Sequence, residues 1–232
     1  ALAFLPSGLP WPGASALPRI FGPRRFSGGE VVSGRAAIVT DFALDDAGRV
    51  RILLQDRGRD GGEASRLVQR LLEIETYRMM ALLALPLARE VAPVITEMEQ
   101  RLGRLAVSLT QLQGVQGEQH LLLALSSLAA DVEMLAARTP YRFGAARAYH
   151  ALVNRRIAEL YESRIEGVVP VAEFMDRRLS PAMQTCENVH ARLTNLSARV
   201  TRTSDLLGTR VSVAVEQQNL QLLASMNRRA DL

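Results

Sequence analysis

The stretch from Leu67 to Leu85, LVQRLLEIETYRMMALLAL, constrains this chain more than any other. It has no glycine and no proline before Pro86, and it is dense in Leu, Met, Ala, Glu and Arg, the residues that lose least on entering a helix. On a helix, Leu67, Leu71, Ile74, Leu82 and Leu85 fall on one stripe, widened by Val68, Leu72, Met79 and Leu83. A helix with such a stripe must bury it, so the core is expected to form there. Arg66, Gln69, Arg70 and Glu73 lie opposite as a solvated face. Glu75 and Arg78, by contrast, point into the apolar sector at a spacing that puts opposite charges side by side.

Downstream the helical pattern continues. Pro86 is expected to end or kink the first helix, and Pro93 to fall early enough in the next to be tolerated. Val91, Ile95, Met98, Leu102, Leu105, Leu109 and Leu112 recur at steps of four and three, as do Leu121, Leu125, Leu128, Val132 and Leu135. Gly114 and Gly117 bracket a short connection, which predicts an antiparallel, coiled-coil-like helical hairpin. A further helix is expected from Phe143 to Ile165. Ser180-Pro181 then restarts a long last helix, with Met183, Cys186, Val189, Leu193, Leu196, Val200 and Leu207 inward, followed by Val211, Val215, Leu222 and Met226 in a shifted phase.

Upstream the period is two. Ala36, Ile38, Thr40, Phe42 and Leu44 alternate with Ala37, Val39, Asp41 and Ala43, and after Asp45-Asp46-Ala47-Gly48 come Val50, Ile52 and Leu54, which reads as a β-hairpin. An isolated hairpin is marginal, so it needs further strands or the helices as partners. Residues 1–30, broken by Pro6, Pro10 and Pro12, read as loop or a domain edge. The expected class is mainly α (α+β). An incomplete α/β segment with the hairpin occupies residues 1–58, and an elongated helical bundle with a long C-terminal helix occupies residues 59–232. Asp60 is the expected cap between them.

Composition narrows the function classes. Hydrophobic residues make up 48%, so disorder is not the default reading. All 28 basic residues are Arg, and they alternate with acidic and small residues apart from pairs such as Arg24-Arg25 and Arg177-Arg178. These read as solvated helix faces, and no nucleic-acid partner is expected. A single cysteine, Cys186, spaced among apolar residues, reads as a buried small hydrophobe in a reducing compartment. His120, His150 and His190 lack metal-ligand spacing, and Gly28-Gly29 and Gly61-Gly62 lack that of a phosphate loop. No metal or cofactor is expected. The acidic residues Glu97, Glu99, Glu118, Asp131 and Glu133 read as solvated faces. The N-terminus has no basic region preceding an apolar run, which argues against a signal peptide, and no uncharged apolar window of spanning length is read. The chain reads as a fragment. For chemistry the strongest candidate is the buried polar cluster Glu75 and Arg78, joined by Arg142 or Arg147 from YRFGAARAYH. The alternative is an ion pair that fixes helix register.

Four blocks in order, LVQRLLEIETYRMMALLALPLARE, RTPYRFGAARAYHALVNRRIAEL, RRLSPAMQTCE and LLGTRVSVAVEQQNLQLLASMNRRA, resemble a bacterial domain-of-unknown-function family, family 3422, described as uncharacterised membrane-anchored proteins. The resemblance covers about Arg35 to Leu232, and Ser212, where the family usually has an acidic residue, departs from it. It implies a membrane anchor beyond the last helix and no assigned activity. Arg228 and Arg229, membrane-proximal on that reading, favour the cytoplasmic side of a bacterial inner membrane. The leading expectation is a non-enzymatic scaffold or partner-binding module, as a homo-oligomer or with a helical protein partner. The alternatives are the soluble domain of a transporter or channel resembling the bacterial magnesium-channel layout, and an enzyme using the Glu75 and Arg78 pair.

Overall fold

A computed structural model describes residues 2–5, 11–13, 15–22, 25–57, 61–111 and 115–230. The fold is mainly α with one small sheet, as the sequence predicts. In chain order it has β1 (Leu2–Leu5), α1 (Leu17–Phe21), β2 (Ser27–Val31), β3 (Ala36–Leu44), β4 (Val50–Asp56), α2 (Gly61–Leu82), α3 (Ala84–Gln111), α4 (Val115–Arg138), α5 (Pro140–Ala158), α6 (Val171–Arg178) and α7 (Ser180–Ala230). Asp60, Leu112 and Gly114 lie outside the described residues, as do the side chains of Arg228 and Arg229. Packing divides the chain into two compact units, Ala1–Leu85 with Gly144–Thr185, and Pro86–Phe143 with Cys186–Leu232.

In the first unit, β3 and β4 form the expected hairpin, with Ala36 opposite Asp56. Its turn is closed by Asp45, whose Oδ1 accepts from Ala47 N–H at 3.0 Å and Arg49 N–H at 2.8 Å, while Gly48 takes a φ of +69°. The partners the hairpin requires come from the segment read as loop: β1 pairs in parallel with β4 and β2 antiparallel with β3, in the order β1-β4-β3-β2. The strand β2 was hidden because SGGEV is poor in strand-forming residues. Its glycines answer to packing instead. A Cβ at Gly28 would sit 2.0 Å from the Ile38 carbonyl oxygen, and one at Gly29 would sit 2.6 Å from that of Ser163.

The free edge of β2 is covered by the chain that follows α5. Glu30 and Ser163 exchange backbone hydrogen bonds of 3.0 and 2.7 Å, and Gly28 N–H donates to the Val169 carbonyl at 2.9 Å. For this reason α5 ends at Ala158 and not at Ile165: Tyr161 turns with a φ of +49°, and the chain leaves the helix to pair with β2. The sheet is buried on both faces. Val39 and Leu53 pack with Leu17, Phe21 and Val168 on one side. Ile38 and Leu54 point the other way and are fully buried, and Ile52 on that face borders a groove with Leu72, Thr76 and Met79 of α2.

The α2 stripe is narrower than its composition predicts. Leu67, Leu71, Ile74 and Ala81 are buried, but Leu72, Met79 and Leu83 are exposed. The buried positions step by four and three from Leu67 through Ala81, and on that register Arg78 occupies a core position between Ile74 and Ala81. The helix breaks at Leu83 because the ring of Pro86 conflicts with the carbonyl of Leu82. Since α3 already starts at Ala84, Pro93 lies inside it.

The second unit is the expected antiparallel hairpin joined by α7. Arg101 with Asp131 (2.9 Å) and Arg138 with Glu90 (3.3 Å) tie α3 to α4 with residue numbers running in opposite senses. Arg192 Nη2 donates to Glu99 Oε2 at 2.7 Å and Arg210 Nη1 to the Leu109 carbonyl at 3.4 Å, so α7 runs parallel to α3. Val91, Ile95 and Leu102, then Leu121, Leu125, Leu128, Val132 and Leu135, then Val189, Leu193, Leu196, Val200 and Leu207 are buried. Glu118, read as solvated, is buried and salt-bridged to Arg210 at 2.8 Å. Two helical stretches, Glu63–Gln111 and Gln116–Ala158, contain 18-residue windows of mean hydropathy 1.5 and 1.4, which by length and composition alone are apolar enough to cross a membrane. Helices that form the core of a soluble bundle have the same composition.

Candidate functional site

The hairpin of β3 and β4 is irregular where it meets α2. Thr40 pairs with Ile52 and Leu44 with Val50, so Asp41, Phe42 and Ala43 stand opposite Arg51 alone. This bulge forces Phe42 to a φ of +47°, a left-handed conformation that costs an L-residue about 1–2 kcal/mol. Surrounding groups hold it there. Phe42 N–H donates to Thr40 Oγ1 at 3.1 Å and Ala43 N–H to Asp41 Oδ1 at 3.2 Å. The Phe42 ring stacks on Phe174 of α6 with centroids 4.9 Å apart, and the Arg78 guanidinium lies 5.4 Å from its centroid on another approach.

Arg78 and Glu75 are brought together as the sequence suggests. Arg78 Nε donates to Glu75 Oε2 at 2.9 Å and Nη2 to Oε1 at 2.6 Å, with the side chains only 12% and 15% exposed. Nη2 also donates to the Phe42 carbonyl at 3.3 Å, so the pair clamps the bulge. Both Glu75 oxygens face one guanidinium, an arrangement that neutralises charge rather than offering a base to a substrate. Arg142 and Arg147 occupy exposed positions on α5, and neither is a hydrogen-bond partner of the pair. On the far side of the bulge, Asp41, whose side chain is fully buried, accepts from Arg51 Nη2 at 3.0 Å. Arg51 also donates to the carbonyls of Ile20 and Phe21 at 2.8 and 3.1 Å, which ties the end of α1 to the bulge.

Between these elements lies a cavity of about 580 Å³. Leu82, Phe174, Met175 and Leu179 form its apolar lining, and Arg25, Asp41, Arg78 and Arg178 its charged one. The charges do not cancel. Asp41 and Arg78 are each matched by their own partner, Arg51 and Glu75. Arg25 and Arg178 are exposed and have no carboxylate partner among the described residues. The cavity therefore carries two surplus positive charges over an apolar floor. Sequence reading placed Arg25 and Arg178 on solvated faces and passed over Asp41 as a strand residue. No local spacing connects the three, so only the bulge at Phe42 and the α6 position bring them together.

The position of α6 is set by Glu162, whose carboxylate accepts from Val171 N–H at 2.8 Å and Ala172 N–H at 3.3 Å at the start of that helix. Burial pushes the Glu162 carboxyl above the ordinary glutamate value, and these two backbone hydrogen bonds oppose that rise. Gly29 leaves room for it, since a Cβ there would sit 2.7 Å from Glu162 Cγ. Elsewhere in this unit Glu73 accepts from Gln69 at 2.9 Å and is salt-bridged to Arg156 of α5; the Gln69 hydrogen bond first, and then Arg156, hold its carboxyl below the ordinary value. Tyr77 and Tyr149 stack beside it with centroids 5.8 Å apart. In the second unit Cys186 is a buried free thiol whose pKa burial raises, which suppresses its reactivity. Among the described residues no three His, Cys, Asp or Glu side chains cluster in a way that would hold a metal ion.

No curated protein and no solved structure matches the chain. The sequence pattern described as "Protein of unknown function (DUF3422)" matches residues 9–232, nearly the whole length, and the chain therefore belongs to that family.

Proposed function

We propose that this chain is a membrane-tethered, non-enzymatic helical scaffold whose last helix pairs with a second copy of itself. One observation carries the reading, the outer part of α7. Helix α7 has 51 residues and so extends roughly 75 Å. Its seam positions are buried as far as Leu207. Beyond that point Val213, Leu220, Leu222, Leu223 and Met226 are 49% to 65% exposed. Scattered surface leucines need no account, but a row of them along one helix does.

Apart from Leu223, which lies on the flank between them, the apolar residues of this part fall into two stripes on opposite sides of the helix. Leu206, Val213 and Leu220, spaced by sevens, form one; Val211, Val215, Leu222 and Met226 form the other. Arg210, Gln217 and Gln221 separate them on one flank, and Thr209, Ser212, Glu216 and Asn219 on the other. A spacing of sevens matches itself in a parallel coiled coil, because each residue meets its own copy at the same height. Support for the tether comes from the resemblance of the four sequence blocks to a family described as membrane-anchored, which implies a hydrophobic segment beyond the last helix. Arg228 and Arg229 next to such a segment would place this chain on the cytoplasmic face.

Sedimentation velocity tests the pairing. The wild-type chain is expected to sediment as an oligomer, and the double variant Val213→Glu/Leu220→Glu as a monomer of unchanged helicity. A monomeric wild type at high concentration would refute self-pairing. Recovery of the longer protein in the soluble fraction of cells would refute the tether, and cation flux into liposomes carrying it would replace the scaffold by a transporter.

A further inference from the structure

We propose that the cavity beneath the Phe42 bulge is a binding site for a phosphate group carried on a small apolar or aromatic body. Charge is the first argument. With Asp41 matched to Arg51 and Glu75 to Arg78, the walls retain Arg25 and Arg178, two guanidinium groups without carboxylate partners among the described residues. Two forked donors lining one cavity suit a doubly charged tetrahedral anion, which has oxygens enough for more than one guanidinium partner. Arg78 adds a third edge, since its hydrogen bonds to Glu75 and Phe42 use Nε and Nη2 and leave Nη1 uncommitted.

The lining supplies the second argument. Leu82, Phe174, Met175 and Leu179 give the cavity an apolar floor that inorganic phosphate would leave uncovered. A volume of about 580 Å³ holds a small organic molecule, in the range of pockets that bury most of their ligand. The third argument is strain. A phenylalanine at a φ of +47° persists only where its surroundings hold it, and of the residues that do so here, Arg78, Thr40 and Phe174, two also line the charged cavity, Arg78 and Phe174. Backbone strain of this kind collects where a fold fixes the geometry of a ligand site. The same phosphate chemistry is presented by a free nucleotide and by the headgroup of an anionic lipid, so the test separates the two.

Isothermal titration of the 232-residue chain with inorganic phosphate and with adenosine monophosphate, and co-sedimentation with phosphatidylcholine vesicles containing phosphatidic acid, provide the arms. Saturable binding tighter than that of inorganic phosphate is expected either for the nucleotide, which assigns a soluble ligand, or for the vesicles alone, which assigns a headgroup. Arg25→Gln and Arg178→Gln are each expected to weaken that binding by about tenfold, since each removes a charge-assisted pair. Arg178→Lys, which keeps the charge and loses the fork, should recover part of it. Arg177→Gln, which removes the neighbouring arginine salt-bridged to Glu173 at 2.6 Å, should leave it unchanged. Both arginines are exposed, so circular dichroism of the variants should match the wild type. Absence of saturable binding in every arm, a bound ligand no tighter than inorganic phosphate, or equal binding by the Arg25→Gln/Arg178→Gln double variant would overturn the site.

Discussion

In the bundle of α3, α4 and α7 most ion pairs sit at the rim: Arg101 with Asp131, Arg138 with Glu90 and Arg192 with Glu99 all keep a substantial share of their side chains in solvent. In the sheet-bearing unit two pairs are drawn inward, Asp41 with Arg51 and Glu75 with Arg78, around a bulged strand. The four non-glycine residues with positive φ among the described residues, Val32, Ser33, Phe42 and Tyr161, also all fall in the sheet-bearing unit. A repeating seam lets each helix bury its stripe against a neighbour with regular backbone throughout, and its charges stay outside. A mixed sheet pinned between α1, α2 and the chain after α5 has no such freedom. It must bend strands and bury polar groups to close, and the bent, charged region is where the cavity lies.

The comparison is broken most severely in the bundle by Leu196→Arg. Leu196 is fully buried, and an unpaired guanidinium in its place is expected to cost more than about 4 kcal/mol, read as loss of the cooperative denaturant transition of this unit. In the sheet unit the equivalent break needs only a methyl group. Gly28→Ala would set a Cβ 2.0 Å from a backbone oxygen that cannot rotate away, and a loss of about 3 kcal/mol is expected from the shift in the denaturation midpoint. Serine or alanine at Gly103, where a Cβ meets nothing within 4 Å, should be neutral or stabilising and so marks the contrast.

An effect of similar size sharpens the difference in charge placement. Glu75→Ala leaves Arg78 buried without its carboxylate and is expected to cost about 3 kcal/mol, whereas Glu75→Leu/Arg78→Leu together should be near neutral in chemical denaturation. The same double change is expected to loosen the bulge, seen as faster amide exchange at Ala43. Removing Glu90 from the half-exposed pair with Arg138 should cost less than about 1 kcal/mol.

The smallest expected effect is the dependence on pH. Glu73 is held below 4.5, so the folded protein binds fewer protons there than the unfolded chain; its contribution is complete above 4.5 and is lost as pH falls through the lowered value. Glu162 is pushed above 4.5, so the folded protein holds its proton longer than the unfolded chain, and stability is lost as pH rises through the raised value. Thermal midpoints measured against pH should therefore change in opposite directions for Glu73→Gln and Glu162→Gln. Identical profiles would show that neither carboxyl is coupled to folding as its surroundings imply.

The helices and their seams were legible because their evidence is local. Leu121, Leu125 and Leu128 lie on one face whatever the rest of the chain does, since the period of the helix alone puts them there. The hairpin was legible for the same reason, through alternation and the Asp45 to Gly48 turn, and the charge conflict of Glu75 and Arg78 with their stripe showed in the pattern as well. What covers that hairpin did not show. Whether Gly28 is a loop residue or a strand residue is decided by Ile38 lying 2.0 Å from where its Cβ would be, and whether α5 ends at Ala158 is decided by Glu30 accepting the Ser163 N–H at 2.7 Å. Arg25, Asp41 and Arg178 carry no shared spacing at all. They meet because β3 bulges at Phe42 and Glu162 sets the start of α6, and such long-range closures depend on which surfaces fit once the chain has collapsed, a quantity that no window of sequence contains.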